Sequence, residues 1–148
     1  MKNLAIIGVI CVLVLSACNS EPKPITYGSE GCHFCTMTIV DKQHAAQFMT
    51  KKGRSYSFDA TECMLNHLRE IDTETVALFR VNNYTDPGVF IDATQATYLI
   101  SENIPSPMGA FLSAFSNEEA AKKAQSDNTG VLYTWTELNE KFKKENPF

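Results

Sequence analysis

Six consecutive positions, Cys32 to Met37, carry two thiols, an imidazole and a thioether. No other stretch constrains the fold as much, because so dense a set of soft donors has to be held as one unit. Thiolate and thioether sulfurs prefer Cu(I) to the harder divalent ions. A zinc site more usually gathers four Cys or His ligands and does not recruit Met. Thr36 to Val40 is rich in β-forming residues and predicts the start of a strand. On a strand, residues two apart share a face, so Cys35 and Met37 are expected to turn both sulfurs toward one ion. The same residues admit other readings. Cys-x-x-Cys is also a redox spacing, the pair fits a plain disulfide in an exported protein, and Met37 fits a core.

Export is itself written into the chain. Lys2 gives a positive start, and Leu4 to Leu15 is an almost unbroken apolar run. The run is too short to span a membrane as a stable helix and has the form of a secretory signal. It ends in Leu15-Ser16-Ala17-Cys18, which resembles the bacterial lipoprotein cleavage motif. That motif implies removal of residues 1–17 and acylation of Cys18, with Cys11 lost; an ordinary cleavage site is the alternative. Lipid chains would anchor the domain to a membrane. Residues 18–30, with Pro22 and Pro24 among polar neighbours, read as a tether. The mature thiols are then Cys32, Cys35 and Cys63, an odd number that leaves one without an intramolecular partner.

At 148 residues, 44% of them hydrophobic, the chain has enough apolar material for one packed domain or two very small ones. Its formal charge of −4 and the lack of a basic patch argue against nucleic acid as a partner. Ala45 to Thr50 and Ser55 to Phe58 read as strands around a Lys51–Arg54 turn. Asp59 sits at a capping position, and Met64, Leu65, Leu68 and Ile71 recur at helical spacing, which predicts a helix over 60–71. Val76 to Val81 reads as a buried strand. The second half echoes this order: strands at 95–100 and 110–115, a helix opened by Ser116–Glu119 as a capping box, a strand at 131–133, and a helix over 135–144 opened by Thr134 and Glu137. The expected fold class is α+β, with two β-β-α-β units, residues 31–84 and 85–148.

Three further features bear on chemistry. Met108 lies between Pro107 and Gly109 on a constrained turn, where its thioether is a reasonable third ligand or packs down onto the core. Cys63 and His67 lie four apart on the expected helix and face the same way, either as a weak second site or as core. His33, inside the sulfur run, binds or tunes the ion or stands by; His44 reads as a surface residue.

Taken together, Cys18, Cys35-Thr36-Met37, Phe58-Asp59 before a helix, and Ser106-Pro107-Met108-Gly109 resemble the NosL family. The resemblance runs from about Cys32 to Tyr133. It implies a periplasmic copper-binding lipoprotein that is not an enzyme and delivers Cu(I) for the copper centres of nitrous-oxide reductase, with a membrane ABC-type complex as a further partner. It also implies Cys35, Met37 and Met108 as ligands, with Cys32, Cys63 and His33 as additional candidates. Many family members have Gly where this chain has Thr36, and Cys32 is a thiol beyond the core motif. The alternative function is an exported thiol–disulfide protein using Cys32 and Cys35. A further alternative is a lipid-anchored module with passive sulfurs.

Overall fold

The computed structural model describes residues 21–144; the expected signal peptide and the acylated Cys18 lie outside the described residues. The elements run in the order β1 (Ala46–Thr50), β2 (Ser55–Phe58), α1 (Thr61–Leu68), β3 (Val76–Asn83), β4 (Asp86–Asp92), β5 (Thr97–Ile100), β6 (Leu112–Phe115), α2 (Glu118–Asn128), β7 (Val131–Tyr133) and α3 (Trp135–Lys144). They form two antiparallel sheets, ordered β2-β1-β3-β4 and β6-β5-β7. The fold is α+β, as the sequence pattern predicts.

The β1–β2 hairpin turns at Lys51–Arg54, where Gly53 adopts a φ of 81°. On the core face of these strands Phe48 and Phe58 are both buried, and their rings stack 5.6 Å apart. Gln47 is buried too, its amide donating to Ser57 Oγ and to the Lys23 carbonyl. The Lys23 amide in turn donates to Ser55 Oγ at 3.0 Å, and Ile25 is buried in the main core. The segment expected to be a free tether as far as residue 30 is therefore docked from Lys23 onward. Burial of Ile25 and the backbone groups of Lys23 are the reason.

Three more expectations need correction. First, β4 pairs with β3, with Val81 opposite Ile91, so the first sheet runs past the boundary expected at 84/85 and closes at Asp92. Pro87, close to that expected boundary, is tolerated together with Gly88 on an edge strand that needs hydrogen bonds on one side only. Second, Asp59 does not cap α1. The N-cap is Ala60, without a side-chain bond, and Asp59 Oδ1 accepts from the Val40 amide at 3.4 Å. Third, His44 is only 4% exposed. Its Nδ1 lies 2.7 Å from Asp41 Oδ2 and its Nε2 lies 3.2 Å from Ser113 Oγ on β6, which ties the two halves together. The order Asp, His, Ser has the form of a hydrolytic triad, but Ser113 is 1% exposed and no substrate reaches its hydroxyl. It is a brace.

In the second half, α2 is capped by Asn117, whose side chain accepts from the Ala120 amide, one residue later than the expected capping box. The second capping box forms as predicted: Thr134 Oγ1 accepts from the Glu137 amide, and Glu137 Oε2 accepts from the Thr134 amide. It opens α3, whose Leu138 and Phe142 are buried in the main core alongside Leu65 and Leu68 of α1. One continuous core thus joins both halves, with a smaller cluster of Leu99, Ile104, Phe115 and Ala121 beneath α2.

Candidate metal centre

The sulfur run does not form the expected strand. Gly31 and Thr38 make a single antiparallel bridge, and residues 33–35 form a turn. The Cys32 amide donates to the Met37 carbonyl at 2.7 Å and the Thr36 amide to the Cys32 carbonyl at 3.0 Å. This curls the chain so that the run closes on itself. Thr36 closes it with a φ of 66°, in the left-handed region where glycine is at no disadvantage. The His33 amide donates to the Ser57 carbonyl at 2.9 Å, pinning the loop along β2, the edge strand of the first sheet.

The loop is pressed against α1. Its Cys32, its Cys35 and Cys63 from the helix place their sulfurs within 4.8 Å of one another. Cys32 and Cys63 are 3% and 1% exposed, Cys35 is half-buried, and none of the three is disulfide-bonded. A thiolate–metal bond of about 2.3 Å places three sulfurs around one ion about 4 Å apart, so the cluster has the dimensions of a three-sulfur site.

Its electrostatics are asymmetric. A hydrogen bond from the Cys63 thiol, with help from the backbone amides of Asp59, Cys35 and Phe34, outweighs burial and lowers the Cys32 pKa to about 5. Cys63 is pushed up, first by the proton it shares toward Cys32 and then by burial. Burial also raises Cys35, with Cys32 adding to it. The three thiols are therefore unequal: Cys32 gives up its proton most readily, because the Cys63 thiol and nearby backbone amides stabilise its thiolate. Metal binding competes with the protons on all three.

The other predicted residues are distributed around this centre. Met37 is 53% exposed at the mouth of the loop. Met108 is half-buried and packs on the main core, in the long loop between β5 and β6. That loop is fastened to α1 one residue before Cys63, where Ser106 Oγ donates to Glu62 Oε1. His33 turns its ring into an aromatic cluster, edge-on to Tyr56 at 4.6 Å and to His67 at 5.0 Å. The helical spacing of Cys63 and His67 thus reads correctly as one face, but only Cys63 reaches the thiols. Glu62 was not singled out from the sequence. Its signal is an acidic residue in the first turn of a helix, directly before Cys63 and three before Leu65.

Comparison with known proteins gives a consistent result. The NosL family model matches residues 22–142. The copper-binding lipoprotein NosL of Stutzerimonas stutzeri is 25% identical over 155 residues, spanning 95% of this chain and 82% of that protein. The crystal structure of the copper chaperone NosL from Shewanella denitrificans matches with a TM-score of 0.69 at 21% identity, covering 80% of this chain and 95% of that one, and shares the fold.

Proposed function

Because the chain belongs to the NosL family, we propose that it is a copper chaperone, anchored through acylated Cys18 on the periplasmic side of a bacterial membrane, with Cu(I) as its cargo. The observation that carries this reading is the cluster of Cys32, Cys35 and Cys63, whose sulfurs lie within 4.8 Å of one another. Soft sulfur donors in small number favour a monovalent copper ion.

Exposure across the site is graded in a way that suits transfer. Cys32 and Cys63 are buried, Cys35 is half-buried and Met37 is open to solvent. An acceptor's ligand can approach from the Met37 side and replace the thioether first and Cys35 next. Copper passes by ligand exchange and is never free. The acceptor in this reading is nitrous-oxide reductase, its membrane ABC-type maturation complex, or both.

The test is titration of the reduced protein with Cu(I) against a competing chelator. Replacing Cys35 or Cys63 by Ser is expected to weaken binding at least tenfold, the scale on which even indirect support of a metal site is felt. Unchanged affinity in both variants overturns the site.

One observation favours a thiol–disulfide protein instead, the low pKa of Cys32. Exchange also requires access to the attacking sulfur, and Cys32 is 3% exposed. Steady turnover of a disulfide substrate that survives Met37→Leu and Met108→Leu would restore that reading.

A further inference from the structure

Among the described residues, Glu62, Asn66 and Asn82 each carry a buried side-chain polar atom without a partner, and Glu62 is the one of the three that can be charged. It is 0% exposed, and its Oε2 makes no hydrogen bond. Burial raises its pKa, opposed first by Ser106 and also by the Met108 backbone. A buried polar atom left without a partner costs about 1–3 kcal/mol, whereas replacing both members of a buried polar pair by apolar groups is often neutral or stabilising. Stability alone therefore gives no reason for a carboxyl here. An unsatisfied buried group calls for another explanation.

Position supplies it. Glu62 lies on α1, beside Cys63 in the chain. Its Oε1 accepts a hydrogen bond from the hydroxyl of Ser106, which belongs to the other half of the molecule. The same Ser106 oxygen accepts from the Leu112 amide at 3.4 Å, where β6 begins. The Ser106 carbonyl accepts from the Gly109 amide at 3.0 Å and closes the four-residue turn that carries Met108. Ser106 is thus the root of the Met108 turn, and Glu62 is what holds that root to the thiol-bearing helix.

We propose that Glu62 and Ser106 form a latch that positions Met108 beside Cys63, so that the thioether from the second half joins the thiols from the first. The latch rests on the copper reading and deepens it. Glu62 touches no copper in this scheme. It acts through Ser106 on where Met108 stands.

The test uses the full-length protein in detergent, with Cu(I) affinity read by chelator competition and stability read separately by denaturant unfolding. Ser106→Ala is expected to weaken Cu(I) binding about tenfold, in the range found for groups that orient metal ligands. Glu62→Gln keeps the oxygen that accepts from Ser106 and is expected to stay within about threefold of the parent, a small part of that range. In a Met108→Leu background, Ser106→Ala is expected to have no further effect. The apolar pair Glu62→Leu with Ser106→Ala removes the unpaired carboxyl but also the acceptor of the Leu112 amide, and is expected to unfold near the parent's denaturant midpoint and still lose affinity, a split that a merely structural role does not give.

Equal losses from Ser106→Ala with and without Met108 overturn the latch, as does unchanged affinity in Ser106→Ala. A parent protein that binds no Cu(I) overturns the copper reading itself, which separates the two failures.

Discussion

The two halves of the molecule repeat the order strand, strand, helix, strand, and they use the helix in opposite ways. In α1, seven of eight residues are buried, among them Glu62, Cys63 and Asn66. It is enclosed by β1 and β2 on one side and by α3 and β6 on the other. In α2, Ala121 is the one buried residue of eleven, and the outer face carries ion pairs from Lys122 to Glu118 and from Lys123 to Asp127. The difference teaches where a site can be built. A helix enclosed on all sides holds its polar atoms in fixed surroundings, so a thiol there has a set neighbour and a shifted pKa. A solvated helix offers charge and little geometry. The terminal helix α3 covers α1 and leaves α2 bare, which makes the halves unequal.

The largest effect that tests this contrast is loss of core volume. Leu65→Ala on α1 is expected to cost about 2–5 kcal/mol in denaturant unfolding, since the side chain is 2% exposed. A cost below about 1 kcal/mol would mean that α1 is not the packed helix, well under the range for buried leucine.

Next comes pH. Cys32 has its pKa lowered from 9 to about 5 in the fold. Its contribution to stability is therefore complete above about pH 9 and is lost as pH falls through 5. Cys35 and Cys63 shift the other way, so their contribution fades on raising the pH past 9. In the reduced, metal-free protein, thiolate absorbance is expected to rise with a midpoint near pH 5. Cys63→Ala should move it upward, because it removes the hydrogen-bond donor that is the largest cause of the shift. A midpoint that ignores Cys63 breaks the link between loop and helix.

A smaller effect is expected at the loop. Thr36→Gly relieves a left-handed residue and should raise stability by about 1 kcal/mol. A fall in the melting temperature would show that the threonine side chain holds the loop by some other means.

The smallest belongs to α2. Lys122→Ala removes an exposed pair and is expected to leave the unfolding midpoint and Cu(I) affinity unchanged. A clear loss of copper binding would erase the contrast between the two helices.

Local signals carried most of the fold. The Thr134–Glu137 capping box gives α3 its start, and the alternation of Ser55 to Phe58 gives β2. These patterns are read within a few residues of where they act. What was not legible depends on partners distant in the chain. Spacing put Cys63 and His67 on one face of a helix, but which of them meets Cys32 is decided by how the loop lies along β2. The left-handed turn at Thr36 was hidden because its residue type favours a strand. His44 reads as surface in the sequence because one of its partners, Ser113, lies sixty-nine positions away.

The loop that carries Cys32 and Cys35 also covers the β2 border of the first sheet, taking up the Ser57 carbonyl through the His33 amide. The opposite border, β4, is blunted by Asp86, Pro87 and Asp92. Open sheet borders recruit strands from neighbouring molecules. The cysteine loop is thus a cap on the more vulnerable side, and a variant that unseats it is expected to bare that border to a neighbouring copy. Holding Cys32 and Cys35 in place and closing that border fall to the same eight residues, Gly31 to Thr38.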